Sequence, residues 1–212
     1  MNGAIEPSRQ EKRKSRTRTA LIEAASAIVL AEGVNVPIQS ITEKADVGFG
    51  SFYNHFASKE ELFTAVAHEA LDTWESETSH LLGKVKDPLE GLATTLRLYV
   101  RMNKTHPEIA KILNRTAPEM TEYPFEYSSQ FQKALETLGR EKVIDISSVP
   151  LNVLAIRSTL KQVLAIREKS PKFSDREADQ VVEMMLIMMR ISPSTIKRVM
   201  DLPLPIFSKK RA

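Results

Sequence analysis

The 212-residue chain has no cysteine, one tryptophan, seven glycines and only 6% aromatic residues. Without thiols it can build neither a disulfide scaffold nor a thiolate metal site, which fits a reducing, cytoplasmic setting. Histidine is scarce too: His55, His68, His80 and His106 lack the short spacings that metal ligands need, so no metal is expected. No nucleophile elbow or catalytic-triad signature occurs, and Gly48-x-Gly50 lacks the third glycine and the preceding strand of a dinucleotide fingerprint. These absences argue against an enzyme and against a bound cofactor. The longest apolar run covers residues 184–189 only, far short of the roughly 20 residues that cross a bilayer, so no membrane partner is expected. A secretory signal over the basic start and residues 20–31 is excluded because Glu23 interrupts the apolar stretch.

What the chain does have is a localised charge. The net charge is only +3, yet Arg9, Lys12, Arg13, Lys14, Arg16 and Arg18 sit together with Glu11 as their lone acid, so the remainder is slightly negative. A basic arm over residues 1–14 that orders only near DNA is the expectation, because such a cluster is an electrostatic partner for a phosphate backbone. Proline, glycine and helical periodicity then cut the chain into helices: 15–32, stopped by Gly33, and 58–82, 88–104, 107–116, 124–138, 150–169, 174–191 and 193–201. Strand-like alternation of useful length is lacking, so the fold class predicted is all-α.

Residues 38–59 hold the most specific pattern. Ile41 and Ala45 are one turn apart, as are Phe52 and Phe56, with Val47 between the pairs and Asp46 suited to a left-handed turn. Gly48 and Gly50 relieve the start of the second helix from side-chain restriction. This is a helix-turn-helix layout whose outward residues, Phe49, Ser51, Tyr53, Asn54 and His55, can meet phosphates or base edges. The same spacing also fits a packed helical hairpin with an aromatic core. Ser58 followed by Glu61 predicts a capping box for the next helix, and Lys59 in its first turn is poorly placed for the helix dipole, which favours a phosphate contact.

Over residues 37–62 the string P-I-Q-S-I-T-E-K-A-D-V-G-F-G-S-F-Y-N-H-F-A-S-K-E-E-L resembles, without a gap, the DNA-binding motif of the TetR family of bacterial transcriptional regulators. That motif runs T-x-x-x-I-A-x-x-A-G-V-S-x-G-x-x-Y-x-H-F-x-x-K-E-x-L. Pro37, Thr42, Asp46 and Gly48 depart from its Thr, Ala, Gly and Ser, and Gly48 lacks the hydroxyl of a phosphate contact. The resemblance covers about a third of the chain in motif and the rest in architecture. It implies a three-helix helix-turn-helix domain over residues 15–57 and a larger helical ligand-binding and dimerisation domain over residues 58–212. It further implies a homodimeric repressor on a palindromic double-stranded DNA operator.

Within that frame Tyr53 and His55 are expected on phosphates, Ser51 and Asn54 on base edges, and Phe49 on a thymine methyl. Arg16, Arg18, Gln39, Lys59 and the Gly48 turn are expected along the DNA backbone. A small hydrophobic or mixed-polarity ligand is expected among Trp74, Tyr99, Met102, Arg115, Tyr127 and Phe131, although for any single one of them plain core packing is the favoured reading. Arg101, Arg115 and Arg157 are the candidate partners for a ligand anion. Residues 150–166 and 181–191 are apolar around most of their circumference, which calls for burial on two sides and a four-helix dimer interface using Leu154, Arg157, Leu160, Val181, Met185 and Met188. Two other readings stand beside this one: a helical regulator controlled by a protein partner rather than by a small molecule, and a non-specific DNA-coating protein.

Overall fold

A computed structural model of the chain describes residues 8–116, 130–145, 149–170 and 172–207. Among these residues all regular structure is helical: α1 (Arg9–Ala31), α2 (Ile38–Lys44), α3 (Phe49–Phe52), α4 (Lys59–Leu82), α5 (Pro88–Tyr99), α6 (Met102–Thr105), α7 (Pro107–Thr116), α8 (Gln130–Arg140), α9 (Val149–Lys169), α10 (Asp175–Met188) and α11 (Pro193–Met200). The fold class is all-α.

The basic segment differs from its expectation. The Ser8 hydroxyl accepts from the Glu11 amide at 3.2 Å while the Glu11 carboxylate accepts from the Ser8 amide at 2.7 Å. This reciprocal cap starts α1 at Arg9, so residues 9–14 are the first turns of a helix rather than a flexible arm. The stop falls where the glycine puts it: Gly33 takes φ +92° and donates back to Ile28 and Val29. The helix expected over residues 88–104 is interrupted at Val100 and Arg101, giving α5 and the short α6. The first part of the helix expected over residues 124–138 lies outside the described residues.

Two cores follow from the packing. The first is small and closed: Leu21, Ala25, Ile28 and Val29 of α1, Ile41 of α2, Phe52 and Phe56, and Leu62, Phe63 and Val66 at the start of α4 are all essentially solvent-free. The second gathers Leu92 and Leu96 of α5, Leu135 and Leu138 of α8, Ile156, Leu160 and Val163 of α9, Val182 and Leu186 of α10, and Val199 of α11. Between them, α4 and α7 carry Ala67, Trp74, Ala110 and Leu113 in a third cluster with Met102 and Leu164. Arg101 grips Asp179 with two bonds of 2.7 Å, and Arg97 adds a third at 3.3 Å, pinning α10 to α5. Arg101 is thus consumed by structure and is not a ligand-binding cation.

One helix, α9, is long and apolar enough to cross a membrane by length and composition, with mean hydropathy 1.2. In this fold it is a packed helix, with Val153, Ile156, Leu160, Val163 and Leu164 buried against its neighbours.

Candidate nucleic-acid interface and internal cavity

The turn between α2 and α3 is built as the sequence predicts. Asp46 adopts φ +53°, and the Val47 amide donates to the Thr42 carbonyl at 3.0 Å, closing α2. Gly48 is different. Its φ of −65° is ordinary and a Cβ there would meet only the Ser51 hydroxyl at 3.8 Å, so nothing in the backbone demands glycine. The requirement is for a short, open start to α3, and a serine would fit equally well.

The face turned to solvent is aromatic and polar. Phe49 and Tyr53 are 53% and 54% exposed, although their rings meet edge to face at 5.8 Å. Beneath them Phe52 and Phe56 are buried, their centroids 5.9 Å apart. Asn54 is exposed and Ser51 half-buried. His55 is half-buried and its Nδ1 has no protein partner among the described residues. Burial first, then the charges of Lys14 and Arg18, hold its imidazole below the usual range, so it is neutral at pH 7. Those two cations belong to α1, and the Arg18 guanidinium lies 5.0 Å from the Phe56 ring. The helical start of α1 therefore lays its positive charge beside α3, and Arg16 on the same stretch is exposed.

Two expected backbone anchors are already engaged within the fold. Lys59 donates from Nζ to the Val36 carbonyl at 3.1 Å and lies 6.0 Å from the Phe63 ring, so it ties α4 to the loop before α2. That internal bond explains a lysine at this helix start without invoking DNA. Gln39 is exposed but gives its amide to Glu43 at 2.8 Å. The predicted capping box is also altered: Ser58 does accept from the Glu61 amide, but Glu61 reaches back to the Ala57 amide at 2.6 Å rather than to Ser58.

Behind this unit lies a cavity of about 690 Å³. Its walls come from matching faces of α4, α5, α7, α8 and α9. Trp74, Tyr99 and Phe131 line it as expected. Met102 does not, because it is fully buried in the cluster beneath. Arg115 does not either: it donates from Nη1 to the Val29 carbonyl and, at 3.1 Å, to the Leu30 carbonyl. Both carbonyls belong to the end of α1, whose last turn contains no basic residue of its own, so Arg115 adds donors and the opposing charge there. Tyr127, like Tyr123 and Phe125, lies outside the described residues.

The side-chain directions on α9 and α10 sort the expected dimer contacts. Leu154, Arg157 and Leu160 all line the cavity, and Leu160 is buried there. Met185 is also buried, in the monomer's own core, because it shares a stripe with Val182, Leu186 and Met189. Val181 packs half-buried against that core. Met188 is exposed, as is Leu154. The most exposed apolar residues of these two helices are Leu151 on α9 and Met184 and Ile187 on α10, the last two 68% and 61% open to solvent. Residues 184, 187 and 188 stand opposite the core stripe 182, 185, 186 and 189, a spacing that was available in the sequence.

Two titratable groups in and around the cavity have shifted pKa values set by burial and Arg157. Burial pushes the Tyr99 hydroxyl up to about 12 against the opposing charge of Arg157, so the phenol stays protonated. Its ring packs on Trp74 at 5.3 Å. Burial also holds His68, on α4, below the usual imidazole range, with Asp72 opposing that shift and Arg157 adding to it.

Residues 21–66 match the family model described as bacterial regulatory proteins, tetR family. No curated protein matches the sequence. Among solved structures, RolR in complex with the ligand resorcinol is similar over 93% of this chain and 99% of its own, at 25% identity and TM-score 0.63. NalD, the secondary repressor of the MexAB-OprM multidrug efflux pump in Pseudomonas aeruginosa, shares the fold at 21% identity and TM-score 0.52, covering 84% of this chain and 97% of its own. FadR from Bacillus subtilis in complex with stearoyl-CoA shares it at 16% identity and TM-score 0.52, over 80% and 98%.

Proposed function

From the match of residues 21–66 to the tetR family of bacterial regulatory proteins we propose that the chain is a ligand-responsive repressor of the TetR family, binding a palindromic operator as a homodimer in the cytoplasm. The observation that carries this reading is the exposed Phe49 and Tyr53 pair, set on a helix-turn-helix with the basic start of α1 beside it. Two half-exposed aromatic rings on a small, well-packed unit need a partner surface, and the neighbouring cations select a polyanion. Tyr53 reaches a phosphate, Asn54 and Ser51 read base edges, Phe49 covers a thymine methyl, and Arg16 and the other cations of α1 track the backbone. His55 donates a hydrogen bond to phosphate.

The homodimer uses the exposed apolar faces of α9 and α10, where Leu151, Leu154, Met184, Ile187 and Met188 lie open to solvent. The cavity supports control by a small molecule over control by a protein partner, since its volume of about 690 Å³ falls in the range of drug-sized sites. The signal passes through α7, which gives Leu113 and Asn114 to the cavity wall, Ile112 to the DNA-binding core and Arg115 to the end of α1. RolR and FadR were crystallised with resorcinol and stearoyl-CoA, which fits a ligand for this chain without naming it.

Selection from a random duplex library tests the proposal. Enrichment of one sequence in two inverted half-sites is expected, because operator symmetry mirrors the protein's two-fold axis. Enrichment of no sequence, or of a single unpaired half-site, contradicts it.

A further inference from the structure

The cavity's own chemistry narrows the class of molecule it takes. Its wall is mostly aliphatic and aromatic, yet among the described residues three cationic side chains, Lys133, Arg157 and Lys161, line it against one carboxylate, Glu75. Arg157 and Lys161 are four residues apart on α9 and so lie one turn apart on the same face. Lys161 is half-buried there, and among the described residues it makes no ion pair. Desolvation accordingly lowers its pKa, the signature of an ammonium that would gain from a counter-charge.

A second observation is independent of charge. Trp74 and Thr78 are 2% and 3% exposed, both line the cavity, and among the described residues neither the Trp74 Nε1 nor the Thr78 Oγ1 has a hydrogen-bond partner. Two successive turns of α4 therefore present a buried polar atom at the cavity wall with no partner among the described residues. Leaving such a group unsatisfied costs free energy, which an acceptor brought by a ligand would recover. Trp74 lies against Tyr99, whose hydroxyl feels the Arg157 charge, so these groups share one part of the wall.

We propose that the cavity binds an organic acid, with its apolar body among Leu71, Leu92, Leu96 and Leu113, its carboxylate on Lys161, and the indole of Trp74 donating to the same head group. This assignment rests on the reading of the cavity as the regulatory ligand site. The cavity wall on α4 runs from Leu71 to Leu82, about 16 Å at the helical rise, so a medium-length acid fits along it.

Trp74 is the chain's single tryptophan, so its fluorescence reports occupancy of this cavity directly. Decanoate, decanol and decylamine, which share a tail and differ in head charge, are titrated into the full-length protein. Decanoate is expected to bind about tenfold or more tightly than decanol, as a charge-assisted bond provides, and decylamine most weakly. In K161Q the decanoate and decanol affinities converge, and in K161R the preference returns; thermal melting verifies that both variants fold. Equal binding of acid and alcohol by the unaltered protein, or an acid preference that survives in K161Q, overturns this inference and leaves the ligand-site reading standing. Silence of Trp74 toward all three, with no rise in melting temperature, overturns both.

Discussion

The two halves of the molecule spend their apolar residues differently. Around the helix-turn-helix every large side chain pointing inward meets another, and Leu21, Ile41, Phe52 and Leu62 have no measurable exposure. Around α4, α5, α8 and α9 comparable side chains surround a space of about 690 Å³ instead of filling it. Close packing fixes a geometry, whereas an unfilled interior leaves lining atoms without contacts that a ligand can supply. The filled half is suited to presenting a rigid surface to DNA, and the hollow half to responding. Helix α7 belongs to both, with Ile112 in one core and Leu113 on the wall of the other.

The sharpest way to break this contrast is in the filled half. Phe52→Ala is expected to cost about 3–5 kcal/mol, the usual penalty for emptying a buried aromatic site. Urea unfolding followed by circular dichroism measures it, and a loss below about 1 kcal/mol would mean that this core is not close-packed.

Next comes the exposed aromatic face. Tyr53→Ala should leave the melting temperature within a degree or two of the parent, because the ring is half in solvent, while operator affinity falls about tenfold or more. Equal operator affinity for the variant and the parent would remove Tyr53 from the interface. On the other half, Ile187→Glu places a charge in the exposed stripe of α10 and is expected to shift the molecular mass by light scattering from dimer to monomer. An unchanged dimer would locate the interface elsewhere.

Smaller effects test the connection. Arg115→Ala removes the donors that close the end of α1, for a loss on the order of 1 kcal/mol in stability, and should weaken the influence of any cavity ligand on DNA affinity. Retained ligand control in that variant would route the signal past Arg115. The smallest effect is in pH. His55 and His68 both have lowered folded pKa values, so the unfolded chain takes up protons first; stability is complete above the ordinary value of 6.5 and is lost as pH falls below it. Melting temperatures at about pH 7.5 and about pH 5.5 should differ less in His68→Gln than in the parent, since His68 is the more buried of the two; an identical difference would show that His68 does not contribute.

The two halves also differ in how far the sequence alone reveals them. In the helix-turn-helix the local signals agree with one another: the Ile41/Ala45 and Phe52/Phe56 spacings, Asp46 at a left-handed turn and Gly33 at a helix end all appear where they were expected. Even the missed start of α1 was written locally, in Ser8 and Glu11, but the density of positive charge suggested an arm. In the hollow half the signals are ambiguous by nature. An α9 that is apolar nearly all round could face a core, a cavity or a second subunit, and only its neighbours show that Leu160 faces inward while Leu151 faces out. Arg115 is a similar case. Nothing near it in sequence points to Val29 and Leu30, more than eighty residues away. Lys59 shows the converse, a cation whose local context suggested phosphate and whose bond goes to Val36.

The central claim, that the filled half presents a sequence-specific surface to DNA as part of a dimer, is tested most directly by fluorescence anisotropy on the duplex upstream of the chain's own gene, titrated with random competitor and salt. Binding that saturates at two subunits per site, survives excess competitor and weakens steeply with salt is the predicted result. Binding that random competitor displaces as readily as the labelled duplex itself would contradict it.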